Sequence, residues 1–293
     1  MKLTRIICLC LALLLLAGCG GTATKEEDAA AATAAYILET VKEPGYGNIA
    51  GEWIVFGLAR GGFEVPKGYF EGYYERLCEA VQSADGVLDK RKYTEYSRVI
   101  LALTALGKDP SDVAGYDLLA PLDDFDQTCF QGVNGAIYAL MALDSGGYDC
   151  PVREQYVEHI LAAESADGGW GDADFTAIAL QALAKYRDRA DVDAAVERGL
   201  AFLETASYDG SCETVAQVIV ALTELGISPE DERFVRDGRT VKEILMSFAV
   251  ADGGFSHLQG AEKADLLATG QAFYALVAIK RAEGGESSLY RMK

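Results

Sequence analysis

The sequence predicts an all-α fold in which six helical hairpins close into an α/α toroid, with an inner and an outer ring of helices. Three observations point to this fold. The 293 residues include only 6 Pro and little alternation of Val, Ile and Thr, which favours helices over strands. Apolar helical segments recur about every 40 residues, and amphipathic segments separate them. Half of the residues are hydrophobic, which is enough apolar material for a globular core.

The N-terminus has the pattern of an export signal. Lys2 and Arg5 precede an apolar run over residues 6–17, which has the length of a signal-peptide core and is too short to span a bilayer. The run leads into the sequence Leu-Ala-Gly-Cys at residues 16–19, which resembles the bacterial lipobox. The segment therefore predicts export of the chain across a bacterial membrane.

The lipobox resemblance implies that a diacylglyceryl group is transferred to the Cys19 thiol and that the chain is cleaved before this residue. We therefore expect a signal peptide over residues 1–18, and the lipidated Cys19 with a short tether over residues 19–27. Two or more acyl chains anchor a protein stably where a single chain does not. The prediction is an extracytoplasmic lipoprotein on the bacterial cell membrane. The alternative is an ordinary secretory signal peptide in which Cys19 has no role.

Six predicted helices are apolar on nearly every side, and each contains a small residue followed by Leu. These pairs are 37 to 54 residues apart, a spacing typical of helical repeats. A helix that is apolar all round needs neighbours all round, so we expect these six to form the inner ring. They are predicted at residues 53–58, 99–106, 136–143, 176–183, 215–222 and 272–279.

Amphipathic segments alternate with the apolar ones and predict the outer ring. In one of them Val152, Tyr156 and Ile160 form an apolar stripe, with charged residues on the other faces. Six copies without an evident polar capping repeat favour a closed ring over an open solenoid. The clearest amphipathic segments are predicted at residues 66–84, 152–161, 191–205 and 240–249.

The charge of the chain excludes several classes of partner. It has 26 Lys and Arg against 45 Asp and Glu, a net charge of −19. Such a surface repels phosphate backbones and anionic lipid headgroups, so we expect no nucleic-acid binding and no electrostatic attachment to membranes. We expect a monomer without a cofactor. Disulfide pairing is left open among the four cysteines that follow Cys19, which are Cys78, Cys129, Cys150 and Cys212.

Two short segments carry a resemblance to a known family. Glu164 precedes a Gly-Gly-Trp turn at residues 168–170, and an Arg-Gly-x-x-Phe-Leu segment begins at Arg198. Both resemble parts of the QW motif of the α/α toroid that squalene–hopene-type cyclases share with protein prenyltransferase β subunits. The resemblance implies a toroid over residues 28–283 and a C-terminal tail over residues 284–293. It also implies that the N-terminal ends of the inner helices surround one mouth of a central cavity.

Aligning the repeats selects the residues that would line this mouth. They are polar, acidic or aromatic, whereas deeper positions are aliphatic or Tyr, and converging polar groups in an apolar setting are typical of ligand sites. The alternative is that they cap helices and stabilise turns. The candidate ligand-binding residues are Glu52, Trp53, Tyr96, Arg98, Gln131, Asn134, Asp174, Phe175, Glu213, Gln217, Gln271 and Tyr274.

The resemblance also suggests two incomplete catalytic sets. Asp172 and Asp174 resemble part of the Asp-x-Asp-Asp acid of the cyclases, but the last Asp is missing, and two Asp in a turn before a helix are more often N-caps. Prenyltransferases hold zinc with Asp, Cys and His, for which Asp209, Cys212 and His257 are the candidates at altered spacing.

These observations favour a lipoprotein whose cavity mouth binds an unidentified small molecule, peptide or protein without catalysis. One alternative is an enzyme of the cyclase and prenyltransferase superfamily that acts on an isoprenoid. A second alternative is a purely structural surface module.

Overall fold

The computed structural model describes residues 25–48 and 51–293. The predicted signal peptide (1–18), Cys19 and the first part of the tether lie outside these residues. Within the described ranges the chain forms twelve α-helices and no β-strand, so the all-α prediction is confirmed. The helices are α1 (Lys25–Thr40), α2 (Glu52–Gly61), α3 (Tyr69–Ser83), α4 (Thr94–Ala105), α5 (Phe125–Thr128), α6 (Val133–Ser145), α7 (Arg153–Ala162), α8 (Ala173–Leu183), α9 (Ala190–Leu203), α10 (Cys212–Glu224), α11 (Val241–Met246) and α12 (Leu266–Glu283).

Six helices contain the apolar segments predicted from the repeat, except that α4 ends one residue before its segment does, and most of them extend beyond the segments at both ends. We call α2, α4, α6, α8, α10 and α12 the core helices. Most of their side chains are buried; in α10 every residue over 215–224 is buried. Each core helix packs against two others, in the order α2, α4, α6, α8, α10 and α12, and α12 packs in turn against α2. This arrangement covers helices that have no polar side to expose to water.

The amphipathic segments form helices that pack on the core helices. Helix α7 packs on α6, α9 on α8, and α11 on α10, while α1 packs on α12. The helix predicted over residues 240–249 is too long, because α11 ends at Met246. Beyond it, Phe248 is fully buried and its carbonyl accepts a hydrogen bond from the Ser256 N–H at 2.9 Å. The chain turns there to bury this ring and does not extend the helix.

A glycine-rich turn leads into α8. The Gly169 N–H donates to the Asp167 carboxylate at 3.2 Å, and the Ser165 N–H donates to the Gly169 carbonyl at 2.8 Å. The Trp170 N–H then donates to the hydroxyl of Thr176 in α8 at 2.9 Å. The turn thereby fixes an aromatic side chain against the helix that follows it.

The turn that precedes α12 repeats this arrangement. The Gly254 N–H donates to the Asp252 carboxylate at 3.1 Å, and the Phe255 N–H donates to the hydroxyl of Thr269 in α12 at 2.9 Å. Two copies of the sequence Asp-Gly-Gly followed by an aromatic residue therefore adopt the same local structure, as expected for a repeat.

The residues of the QW-like segments contact one another. Arg198 forms a two-pronged ion pair with Glu164, with N–O distances of 2.5 and 2.6 Å. Gly199 allows α9 to approach α8, because a Cβ atom at this position would lie 2.9 Å from Leu180 and 3.0 Å from the Trp170 ring. The glycine therefore has a packing role in this contact.

The C-terminal segment 284–293 folds back onto the core helices. The Tyr290 ring is buried and stacks on Phe56 of α2, with the ring centroids 5.6 Å apart. Its backbone N–H donates to the buried carboxylate of Glu224 at 3.0 Å. Arg60 donates hydrogen bonds to two carbonyls of the same segment, at 2.7 Å each. The segment is thus packed into the core and is not a free tail.

Two features of the described residues bear on the predicted export. None of the described helices combines the length and the apolarity that a membrane-spanning helix needs. The four cysteines after Cys19 are free thiols in the structure, and Cys212 is the one that is fully buried. Burial also raises the pKa of Cys129 to about 11, which keeps this thiol protonated at neutral pH.

Candidate functional site

The first turns of the core helices, together with the turns that lead into them, meet at one end of the molecule, which we call the N-terminal face. An ion pair joins α2 to α4, aromatic rings join α2 to α6 and α12, and neighbouring carboxylates join α8 to α10. Backbone N–H groups at helix N-termini favour nearby negative charge. The face therefore tolerates the acidic residues that the sequence concentrates there.

An arginine shared by two carboxylates connects α2 and α4. Glu52 is completely buried and accepts hydrogen bonds from Arg98 Nε at 2.9 Å and from the Gly47 N–H at 3.0 Å. Arg98 also pairs with Glu95 one turn earlier in α4. Burial raises the pKa of Glu95, Arg98 opposes this rise, and the charge of Glu52 adds to it. One guanidinium thus faces two acids, so this cluster retains a net negative charge when both are ionised.

Three aromatic rings from different core helices meet beside this ion pair, and we call them the aromatic floor. The ring of Trp53 in α2 lies 5.7 Å from that of Tyr274 in α12 and 6.1 Å from that of Tyr138 in α6. Burial raises the pKa of Tyr138 to about 12 and that of Tyr274 well above its ordinary value. The floor is therefore uncharged at neutral pH, and its rings fill space between the first turns of three core helices.

A row of amide side chains extends from the floor. The side-chain amide of Gln217 in α10 is buried and donates to Gln271 Oε1 at 2.9 Å and to the hydroxyl of Tyr274. Gln181 in α8 donates to Gln217 Oε1 at 2.9 Å and to its backbone carbonyl at 3.0 Å. Gln181 is not among the residues predicted from the sequence, and it lies near the C-terminal end of α8, beside Glu224 and Tyr290. The signal that could have found it is an amide within an otherwise apolar helix, because a buried amide usually has hydrogen-bond partners. Its Nε2 has them, whereas its Oε1 has none among the described residues.

Three carboxylates on α8 and α10, which we call the acidic trio, lie near the floor. Asp172 is exposed and caps α8, because its carboxylate accepts the Phe175 N–H at 2.9 Å. Glu213 accepts a hydrogen bond from, or donates one to, His257 Nδ1 at 2.8 Å, depending on protonation. Asp174 is partly buried and has neither a cation nor a hydrogen-bond donor paired with it among the described residues.

The electrostatics of Asp174 differ from those of its neighbours. Burial, together with the charges of Asp172 and Glu213, raises the pKa of Asp174 to about 6. The charge of Asp174 in turn raises the pKa of Tyr138 and of Tyr274, so the carboxylate lies close to the floor. Burial and the neighbouring acids therefore disfavour the ionised form of Asp174, and no cation of the described chain compensates its charge.

Exposed apolar side chains surround these groups and form what we call the apolar rim. Four side chains that are 38% to 54% exposed come from the first turns of α8 and α12 or from the turns before α6 and α12. A cleft of about 660 Å³ opens beside the Glu52 cluster, and its lining includes Trp53, Glu95, Arg98 and, from the apolar rim, Leu267. The members of the apolar rim are Phe130, Phe175, Leu258 and Leu267.

The remaining predicted residues are divided between this site and other places. Gln131 accepts a hydrogen bond from the hydroxyl of Thr94 at 3.2 Å at the edge of the face, and Asn134 is partly exposed in the first turn of α6. Tyr96 lies apart, because its hydroxyl accepts the N–H of Leu88 at 3.0 Å in the loop that precedes α4. The structure thus brings the predicted residues together at one face, with the exception of Tyr96.

The candidate zinc ligands do not converge. The Cys212 thiol is buried against the Ala268 carbonyl, with an S–O distance of 3.8 Å, and burial raises its pKa. His257 is paired with Glu213, and Asp209 accepts a hydrogen bond from Ser207 in its own turn. Among the described residues, no group of three His, Cys, Asp or Glu side chains is arranged to hold a metal ion.

The groups at this face differ in the contacts that they can make. Partly buried carboxylates in front of neutral aromatic rings attract a cation, and the apolar rim offers contact area to hydrophobic groups. The aromatic floor limits how deeply a ligand can enter at this level. Comparisons with protein-family models and with curated proteins give no match.

Proposed function

We propose that residues 28–283 form an α/α toroid of six helical hairpins with the core helices inside. The packing order of the core helices, which returns from α12 to α2, supports this architecture. The two equivalent Asp-Gly-Gly turns support a repeat, and the contacts around Trp170 and Gly199 agree with a degenerate QW motif. The remaining hairpins follow from the same alternation of apolar and amphipathic segments.

We further propose that the chain is an extracytoplasmic lipoprotein, anchored to the bacterial membrane through lipid on Cys19, whose N-terminal face binds a ligand without catalysis. The lipobox-like sequence and the strongly acidic composition support the covalent anchor. The observation that carries the binding function is the coincidence of the apolar rim, the acidic trio and the aromatic floor on one face.

Two observations favour binding over an isoprenoid-acting enzyme. The rings of Trp53, Tyr138 and Tyr274 contact one another in the region where such an enzyme would need room for its substrate. Asp172, one of the two candidate acids, is engaged as the N-cap of α8. A purely structural module, in turn, does not account for four large apolar side chains exposed on one face.

Native mass spectrometry of the full chain, purified in detergent from its own host, tests the binding function. We expect an adduct that is lost on denaturation and is absent from the double variant Phe175→Ala/Leu267→Ala. The control is Val87→Ala, which shortens an exposed apolar side chain in the loop between α3 and α4. Equal adducts on wild type and double variant, or none on wild type, would contradict the proposal.

Detergent partitioning tests the anchor. We expect the wild-type chain to enter the detergent phase and a Cys19→Ser variant to remain in the aqueous phase, because the thiol is the acceptor of the lipid. The mass of the mature N-terminal peptide should show cleavage before residue 19 and added acyl chains. A variant that partitions like wild type would contradict lipidation at this cysteine.

A further inference from the structure

We propose that the ligand of the N-terminal face is a basic, amphipathic polypeptide segment, in which a Lys or Arg meets the acidic trio and adjacent apolar side chains cover the apolar rim. This inference rests on the proposed binding function and specifies its partner. It follows from three features of the face, which are its charge, its floor and the spread of its rim.

The charge of the face selects a cation. Glu52 and Glu95 share the single guanidinium of Arg98, and the acidic trio has His257 as its one basic neighbour in the described structure. Asp174 has no partner at all among the described residues. The rim also has a cation, because the Arg91 guanidinium lies over the Phe130 ring at 4.5 Å, and this cation is engaged with that ring. A ligand that carries positive charge would compensate Asp174, and an anion would meet repulsion.

The aromatic floor suits the same cation. The charge of Asp174 acts on Tyr138 and Tyr274, and the Trp53 ring contacts both of these rings, so the carboxylate and the aromatic floor belong to the same part of the face. An ammonium or guanidinium group is attracted to aromatic ring faces, and the attraction grows as the group is desolvated. A carboxylate beside neutral rings is therefore a suitable receptor for the tip of a Lys or Arg side chain.

The rim indicates that the cation belongs to a polypeptide. Phe175 and Leu267 lie in the first turns of different core helices, and Phe130 and Leu258 precede two core helices. A small amine at Asp174 would leave this spread of apolar side chains uncovered. The cleft has a volume of about 660 Å³ and is lined by Trp53 of the floor and Leu267 of the rim, so a ligand that covers the rim also contacts this cleft. A chain segment with alternating basic and apolar side chains covers both features at once.

Fluorescence anisotropy with a labelled short peptide of alternating Lys and Leu tests the inference on the full chain in neutral detergent. We expect saturable binding that weakens with salt. The variant Asp174→Asn/Glu213→Gln should bind the peptide with an affinity at least about tenfold lower than wild type. The matched control is Glu71→Gln/Glu75→Gln, which removes the same charge from exposed positions on α3 and should bind as wild type. Binding should also change the fluorescence of Trp53, and Trp53→Phe should lose that change.

Two further probes decide the class of ligand. A peptide with Glu in place of Lys should not bind, and spermine, a polyamine without apolar side chains, should compete only weakly. Equal binding of the Glu peptide, unchanged binding to Asp174→Asn/Glu213→Gln, or spermine binding as tight as the peptide would each overturn the inference.

The outcome for the broader function is separable. If the adduct from the host depends on Phe175 and Leu267 but the Lys-Leu peptide does not bind, the inference fails and the binding function stands. If neither the adduct nor the peptide depends on the N-terminal face, both proposals fail.

Discussion

Glu224 and Asp174 lie at opposite ends of the core helices and differ in whether the described chain pairs them. At the C-terminal end, Glu224 is buried but its two oxygens accept hydrogen bonds from the Tyr290 N–H and the Ser288 hydroxyl, at 3.0 and 2.7 Å. At the N-terminal face, Asp174 is partly buried with like charges beside it and without a partner in the described structure. The C-terminal segment thus provides hydrogen-bond donors for Glu224, whereas no group of the described chain does so for Asp174. We call the end at Glu224 the closed end and the end at Asp174 the open end.

This difference separates stability from function. A buried polar group that is satisfied by its own chain stabilises one conformation, whereas one left unsatisfied costs free energy until something binds. Glu224 and the C-terminal segment thus belong to the fold. The unpaired carboxylate of Asp174 lowers the stability of the folded chain, and such a cost is expected at a residue that serves the proposed binding.

The largest effect is expected at the closed end, from Tyr290→Ala. The buried ring stacks on Phe56, and its removal from a packed site should lower the free energy of unfolding by about 3 kcal/mol. Urea denaturation followed by circular dichroism measures this change. Tyr290→Phe keeps the stack and should lie within about 0.5 kcal/mol of wild type. A loss below about 1 kcal/mol for the Ala variant would mean that the segment only lies on the surface.

The fold could be predicted from the sequence largely because its core helices are apolar all round. A helix that is apolar on every side is stable only when other helices cover it, and the repeated spacing predicts which helices these are. The burial of the C-terminal segment could not be predicted in this way. Residues 284–293 are mostly polar or glycine, and only the tertiary contacts of Leu289 and Tyr290 bring the segment into the core.

The next largest effect is expected in the pH dependence of peptide binding at the N-terminal face. Because the pKa of Asp174 is raised to about 6, this carboxylate gains a proton as the pH falls below that value, and its attraction for a cation is lost. We expect the affinity for the Lys-Leu peptide to fall about tenfold between pH 7 and pH 5.

The control for this pH profile must separate the neighbouring groups. Asp172 and Glu213 belong to the same trio, and the His257 imidazole is paired with Glu213. The profile is therefore measured in His257→Gln, where the fall should persist, and in His257→Gln/Asp174→Asn, where it should flatten. A fall that is unchanged by Asp174→Asn would assign the titration to another acid.

A smaller effect concerns the stability cost of the open end. A carboxylate whose pKa is higher in the folded than in the unfolded chain destabilises the fold once it ionises, so the cost is complete above about pH 6 and absent below its ordinary pKa near 3.8. After allowance for solvent screening, Asp174→Asn should raise the free energy of unfolding by about 1 kcal/mol at pH 7. The same variant should bind the peptide more weakly. Lower stability at pH 7 would show that Asp174 has a stabilising partner.

The site could be predicted in composition but not in detail. The repeat register placed the first turns of the core helices together, which was sufficient for residues such as Glu52, Arg98 and Gln217. Tyr96 was selected along with Arg98, yet residues two apart on a helix point about 200° away from each other, so both could not face the same cleft. The exposure of Leu258 and Leu267 depends on the turn before α12, which no periodicity describes.

The smallest effect distinguishes the two aspartates of the α8 turn. Asp172 caps the helix through the Phe175 N–H, whereas Asp174, two residues later, has no such bond. Asp172→Ala should therefore lower the free energy of unfolding by about 0.5 kcal/mol, the low end for a cap because the residue is exposed, and Asp172→Asn should be neutral since Asn caps equally well. Peptide affinity should change less than twofold in Asp172→Asn, because its charge is solvated. If Asp172→Asn lost as much affinity as Asp174→Asn, the trio would attract the peptide through its total charge. Asp172 could then not be distinguished from Asp174 as a cap rather than a binding carboxylate.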